Sequence, residues 1–139
     1  MNRRAVAVQA AVTVAAAVNA RRDAMVRQLG PPGIIVTNAV FQYPWKPVRE
    51  QSSADYEGQF RSCVLQNLLM VKALVPATVE RRWGWVIDIN TECVMQCWPN
   101  QSANVAGKRG RDGVPRVLAR EVWPQRCHRQ PGSVRPDGQ

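Results

Sequence analysis

Two cysteines four residues apart, Cys93 and Cys97 in TECVMQCW, and the adjacent pair Cys127-His128 are the residue types most able to do chemistry. Thiolates and imidazole bind zinc, and three cysteines with one histidine make an accepted tetrahedral set, so Cys93, Cys97, Cys127 and His128 form the candidate metal site. Its spacing argues against it. Three residues rather than two separate the first pair, and neighbouring ligands in the second need an awkward turn to reach one ion. With Cys63 the chain has four cysteines, which also allow three disulfide pairings; reduced structural thiols are the remaining reading. A general base needs a rigid, partly dry setting, and His128, the only histidine, lies in an Arg-rich stretch that supplies none.

The rest of the catalytic inventory is short. AGKRG (residues 106–110) lacks the glycine spacing and following Ser/Thr of a phosphate-binding loop. No dinucleotide glycine fingerprint, paired-carboxylate motif or zinc-protease motif is present. The residues thus lead to an expectation of no catalysis, no cofactor and no small-molecule substrate.

Charge points elsewhere. The chain has 139 residues and a formal charge of +9, unevenly placed. Residues 1–32 carry five basic and one acidic side chain (+4), residues 33–99 six of each (0), and residues 100–139 eight and three (+5). A neutral body between two cationic arms suits a negative partner surface, either nucleic-acid phosphate or anionic lipid headgroups. Arginines 109, 111, 116, 120, 126 and 129, written Arg109, Arg111, Arg116, Arg120, Arg126 and Arg129, are the anion-binding candidates. Trp45, Trp98 and Trp123, each beside a proline, are candidate interface anchors, since tryptophan offers large contact area at low entropic cost.

The elements follow from periodicity. The first thirty residues, Ala/Val-rich and free of acids before Asp23, predict a long helix with a thin apolar stripe, ended by Gly30-Pro31-Pro32-Gly33. The same features resemble a mitochondrial targeting helix, with a secretory signal as the alternative. GIIVTN is a possible short strand. From Ser52 or Ser53 the spacing predicts an amphipathic helix over about 53–75, with Phe60, Val64, Leu68, Val71 and Val75 on its stripe and Pro76 ending it. Alternation in WGWVIDI suggests a strand, followed by a short helix through Cys97. Beyond Asn100 the Gly, Pro and Arg content predicts a flexible, extended tail with at most a short helix at VPRVLAREVW.

The fold class expected is therefore mainly α: a small non-compact subunit with a long N-terminal helix, one central amphipathic helix, short helices or a strand near 83–98, and an extended basic tail. Its units are a targeting-like arm (1–32), a neutral body (33–99) and a cationic tail (100–139). The function expected is a non-catalytic accessory subunit of a large mitochondrial membrane complex of respiratory-chain type. It would tie neighbouring protein subunits together and place arginines near anionic lipid headgroups. The alternative is a mitochondrial ribosomal subunit that binds rRNA through its arginines.

Overall fold

Two runs rich in β-branched residues, IIVT and WVID, form the strands β1 (Ile34–Thr37) and β2 (Trp85–Asp88). The computed structural model describes residues 4–122. Around the strands lie helices α1 (Ala15–Leu29), α2 (Ser53–Phe60), α3 (Gln66–Glu80), α4 (Cys93–Gln96) and α5 (Ser102–Val122), with a π-helical segment at Arg61–Leu65. The strands pair in parallel, Ile34 beside Trp85 and Thr37 beside Asp88. Parallel neighbours cannot be joined by a tight turn; they need a crossover, usually a helix. Here α2, the π segment and α3 run as one helix, Ser53–Glu80, and supply it. The arrangement is a βαβ unit, so the expected mainly-α class is wrong: the two strands, each only four residues long, organise the fold.

The crossover helix starts as its sequence dictates. Ser52 Oγ accepts from Asp55 N at 3.2 Å and the Asp55 carboxylate accepts from Ser52 N at 3.3 Å, a reciprocal cap. It does not stop at Pro76, which sits inside the helix. Proline forfeits one backbone bond, but Ala73, Leu74, Val75 and Thr78 around it are buried, and that packing carries the helix on to Glu80. The expected apolar stripe is only partly inward, since Phe60 and Leu68 are exposed while Gln59, Gln66 and Asn67 are buried.

The core gathers Val18 of α1, Ile35 of β1 and Ala73, Leu74 and Val75 of α3, with Met25, Val86, Leu118 and Val122 packed around them. Alternation along a strand sends successive side chains to opposite faces. Ile35 and Thr37 of β1 are buried, whereas Ile34 and Val36 are exposed. The helices therefore cover one face of the sheet.

Two more expectations are corrected. The N-terminal helix spans Ala15–Leu29 rather than the first thirty residues, and it packs on α3 of its own chain. Residues 102–122 are not an extended tail but the helix α5, which lies against α2 and the π segment. Glycine weakens a helix by about 1 kcal/mol in isolation. Gly107 repays this through close approach, since a Cβ there would come within 3.2 Å of Gln59 O and 3.4 Å of Cys63 Sγ.

Candidate active site

The inward residues at the carboxyl ends of the two strands are polar. Thr37 and Asp88 are in register there, and helices α3 and α5 close over them. The Asp88 carboxylate accepts from Asn67 Nδ2 of α3 at 2.6 Å and from the Thr37 hydroxyl. Arg111 of α5 donates through Nη2 to the Thr37 carbonyl and hydroxyl, and Nη2 stands 3.6 Å from Asp88 Oδ1. The Arg111 side chain is fully buried, and its Nε and Nη1, like Asn67 Oδ1, have no hydrogen-bond partner among the described residues. One carboxylate thus ties together both strands and two helices.

Lys108 lies three residues before Arg111, so both project from the same side of α5. Its ammonium donates to the Ile89 carbonyl at 2.7 Å, just past the end of β2, and the residue is only 6% exposed. Burial lowers the Lys108 pKa; Arg111 adds to this, while Cys63 and Asp88 act in the opposite sense. A lysine so placed gives up its proton more readily than one in water.

One turn earlier on α5, Asn104 N donates to the Tyr43 phenol oxygen at 2.9 Å. Burial raises the Tyr43 pKa, with the Asn104 hydrogen bond working against it. Tyr56 donates to Ser102 Oγ at 2.8 Å in the first turn of the same helix. In the loop after β2, Thr91 Oγ1 accepts from Cys93 N at 3.4 Å. A phenol and a hydroxyl are thus set on the loops after the strands, and an ammonium in the second turn of α5. Such groups move protons to and from a substrate oxygen.

The residues singled out from sequence are scattered around this cluster. Arg111 belongs to it. Arg109 donates to the Val94 carbonyl at 2.6 Å and lies 3.9 Å from Cys97 Sγ; Arg116 pairs with Asp112 at 2.6 Å; Arg120 is exposed. Trp45 and Trp98 are exposed. Cys93 is half-buried and Cys97 exposed, both as free thiols. Among the described residues no three His, Cys, Asp or Glu side chains group to hold a metal. Trp123, Arg126, Cys127, His128 and Arg129 lie outside the described residues. Sequence reasoning missed Thr37, Tyr43, Asn67, Asp88 and Lys108. Two signals were available: an acid alternating into a strand, and an asparagine inside an otherwise apolar helical run.

Residues 1–135 match the short chain dehydrogenase family. The chain belongs to that family. Among solved structures, a short-chain dehydrogenase from Streptomyces avermitilis superposes with a TM-score of 0.77 at 22% identity, over 85% of this chain. A halohydrin dehalogenase bound to ethyl (2S)-oxiran-2-ylacetate superposes with a TM-score of 0.71 at 18% identity, over 78% of this chain. The chain covers 43% of the length of each. A comparison with curated proteins found no match.

Membership overturns the functional expectations. The family is one of dehydrogenases with a Rossmann-like α/β fold, not of structural accessory subunits of respiratory complexes, so the non-catalytic reading falls. The ribosomal alternative falls with it, as does the expectation of protein, lipid or RNA partners in place of a small-molecule substrate. The physical reason for the error is visible: the catalytic candidates are a lysine, a tyrosine and hydroxyls, which carry no short-range signature comparable to a cysteine pair. In doubly wound sheets ligands bind outside the carboxyl ends of the strands, which is where Lys108 and Asp88 lie.

The family implies a nicotinamide dinucleotide, and the residues present do not fit a whole one. The G-x-G-x-x-G turn that holds pyrophosphate at a helix N-terminus in many dinucleotide-binding units is absent from this sequence. Its helical glycines serve packing instead, Gly107 against Gln59 and Gly110 against Val64.

Proposed function

We propose that the chain is the substrate-facing part of an oxidoreductase that interconverts a small alcohol and its carbonyl compound, with a nicotinamide dinucleotide as co-substrate. The observation that carries the reading is Lys108: a buried ammonium with a lowered pKa, held by the Ile89 carbonyl at the carboxyl end of a parallel strand. Alcohol–carbonyl exchange requires a proton to be moved at oxygen. Lys108 and the Tyr43 phenol are the groups assigned to it, with Thr91 as a hydroxyl able to orient the substrate oxygen. Arg111 and Asp88 are positioning residues, since they act through the strand ends and α5.

The test has a binding arm and a turnover arm. Reduced nicotinamide mononucleotide, which lacks the adenylate half, should quench tryptophan fluorescence of the wild-type chain, and Lys108→Met should weaken that binding about tenfold. With a panel of small ketones and alcohols followed at the nicotinamide absorbance, Lys108→Met should lower kcat/KM by about a hundredfold or more, and Tyr43→Phe should shift the pH profile. Binding and turnover that both survive Lys108→Met would refute the assignment.

A further inference from the structure

Past the end of β2, the loop into α4 and one side of α5 enclose a cleft of about 650 Å³. Thr91 lines it, with Glu92, Val94 and Met95 on the α4 wall and Arg109, Asp112 and Arg116 on the α5 wall. Four of these side chains are charged, and their charges sum to zero. Asp112 and Arg116 satisfy each other at 2.6 Å, one helical turn apart. Glu92 and Arg109 do not: among the described residues neither carries an ion pair. Arg109 is held by backbone instead. Its Nη2 donates to the Val94 carbonyl at 2.6 Å, and the Glu92 carbonyl accepts from Met95 N at 2.8 Å. The guanidinium is thus tied to the turn that bears Glu92, yet the two unlike charges stay apart.

We infer that this cleft takes the zwitterionic head of a β-hydroxy-α-amino acid, with Arg109 on the carboxylate, Glu92 on the ammonium and the hydroxyl turned to Thr91; the inference rests on the oxidoreductase reading, which it narrows to one substrate class. Charge selects that head. A purely anionic ligand gains Arg109 but meets Glu92 and Asp112, and a cation gains Glu92 but meets Arg109 and Arg116; like charges so placed cost affinity. A neutral alcohol uses neither free charge. Geometry agrees with charge. The carboxylate and ammonium of an α-amino acid share one carbon, so they need unlike charges on adjoining positions, which the tie between Arg109 and the Glu92 turn provides. The contacts of Arg109 to Val94 and Cys97 both fall on Nη2, so the hydrogens of Nε and Nη1 remain for a carboxylate. Val94 and the largely exposed Met95 add apolar surface to the same wall, where a methyl or larger group on the hydroxyl carbon can pack.

Calorimetric titration of the full chain tests the charge pattern with three matched probes: L-threonine, 3-hydroxybutyrate, which lacks the ammonium, and 1-amino-2-propanol, which lacks the carboxylate. Threonine should bind about tenfold more tightly than either, the worth of one charge-assisted hydrogen bond. Glu92→Gln should remove its advantage over 3-hydroxybutyrate, and Arg109→Gln its advantage over 1-amino-2-propanol. Arg109→Lys should restore part of the latter, and Arg120→Gln, exposed near the end of α5, should change neither. Glu92 and Arg109 are exposed, so their variants should keep the wild-type circular dichroism. Equal affinity for the three probes, no binding of threonine, or a preference that survives both Gln variants overturns the inference. Threonine bound with this charge pattern but not oxidised with nicotinamide dinucleotide present sinks the oxidoreductase reading and leaves the cleft assignment standing. Oxidation of neutral alcohols with no preference for threonine does the reverse.

Discussion

Asp88→Asn is the substitution that most directly probes the junction of strands and helices. The change is nearly isosteric and removes, among the described residues, the only carboxylate paired with Arg111, whose side chain is fully buried. An uncompensated buried charge costs about 3–5 kcal/mol. The Asn side chain also keeps a single oxygen for two donors, Asn67 Nδ2 and the Thr37 hydroxyl, so one of them loses its acceptor, at about 1 kcal/mol. Arg111→Met should be milder, because Asp88 retains both of those donors and is 11% exposed. The double variant removes both charges of the pair. Replacing a buried pair by apolar groups is often neutral or better, so it should be at least about 2 kcal/mol more stable than Asp88→Asn alone. Urea unfolding reads all four corners of the cycle. With a slope of about 1–3 kcal/mol per molar, Asp88→Asn should lower the midpoint by about 2 M at unchanged slope. A loss below about 1 kcal/mol, or a double variant equal to the sum of the singles within about 0.5 kcal/mol, would refute the reasoning.

Two further outcomes follow from the geometry. Lys108 has a folded pKa below its ordinary value of 10.5, so the folded protein binds fewer protons than the unfolded chain between those two pH values. Wild-type stability should rise with pH across that window, and Lys108→Met should lose this slope, as thermal melts in a pH series would show. Gly84→Ala would place a Cβ 2.6 Å from Thr78 Cβ and 2.9 Å from the Gly33 carbonyl; since the latter is backbone, the start of β2 must shift, with a loss of about 1–3 kcal/mol by urea unfolding.

What the residues announced in advance was local. The Ser52 cap, the helix after it and both strands rest on neighbouring side chains and hydrogen bonds within a few positions, and all are present. What stayed hidden depends on distant partners. A parallel pairing between segments fifty-one residues apart, as for Thr37 and Asp88, leaves no periodic trace. The stretch GKRGRDG reads as a flexible cationic loop until Gln59 and Cys63 are seen filling the space a Gly107 side chain would need. Arg111 is the sharpest case: an arginine among arginines, counted with the anion-binding surface, is the largest fully buried side chain among the described residues. Alternation in WGWVIDI was a true signal of strand, but it does not say which face is covered. The structure buries the Asp88 side and exposes the tryptophans.

A buried ion pair is a costly way to join a sheet to a helix, and its place here suggests what the cost maintains. Lys108 has no hydrogen bond to β1 of its own; it reaches the end of β2 because α5 is fixed there by Arg111. The opposite face of the sheet is bare, so cross-sheet packing cannot hold β1 and β2 in register from that side. The register is held instead by Thr37, Asp88, Asn67 and Arg111 acting together. An apolar replacement could match their stability, but without directional bonds it would accept a one-residue slip, which turns every strand side chain to the wrong face. Since Ile89 O, the acceptor for Lys108, is one residue beyond Asp88, such a slip would also unseat the ammonium. The Asp88→Asn/Arg111→Met double variant separates the two roles: folding should largely survive in it, while the binding of reduced nicotinamide mononucleotide that depends on Lys108 should fall.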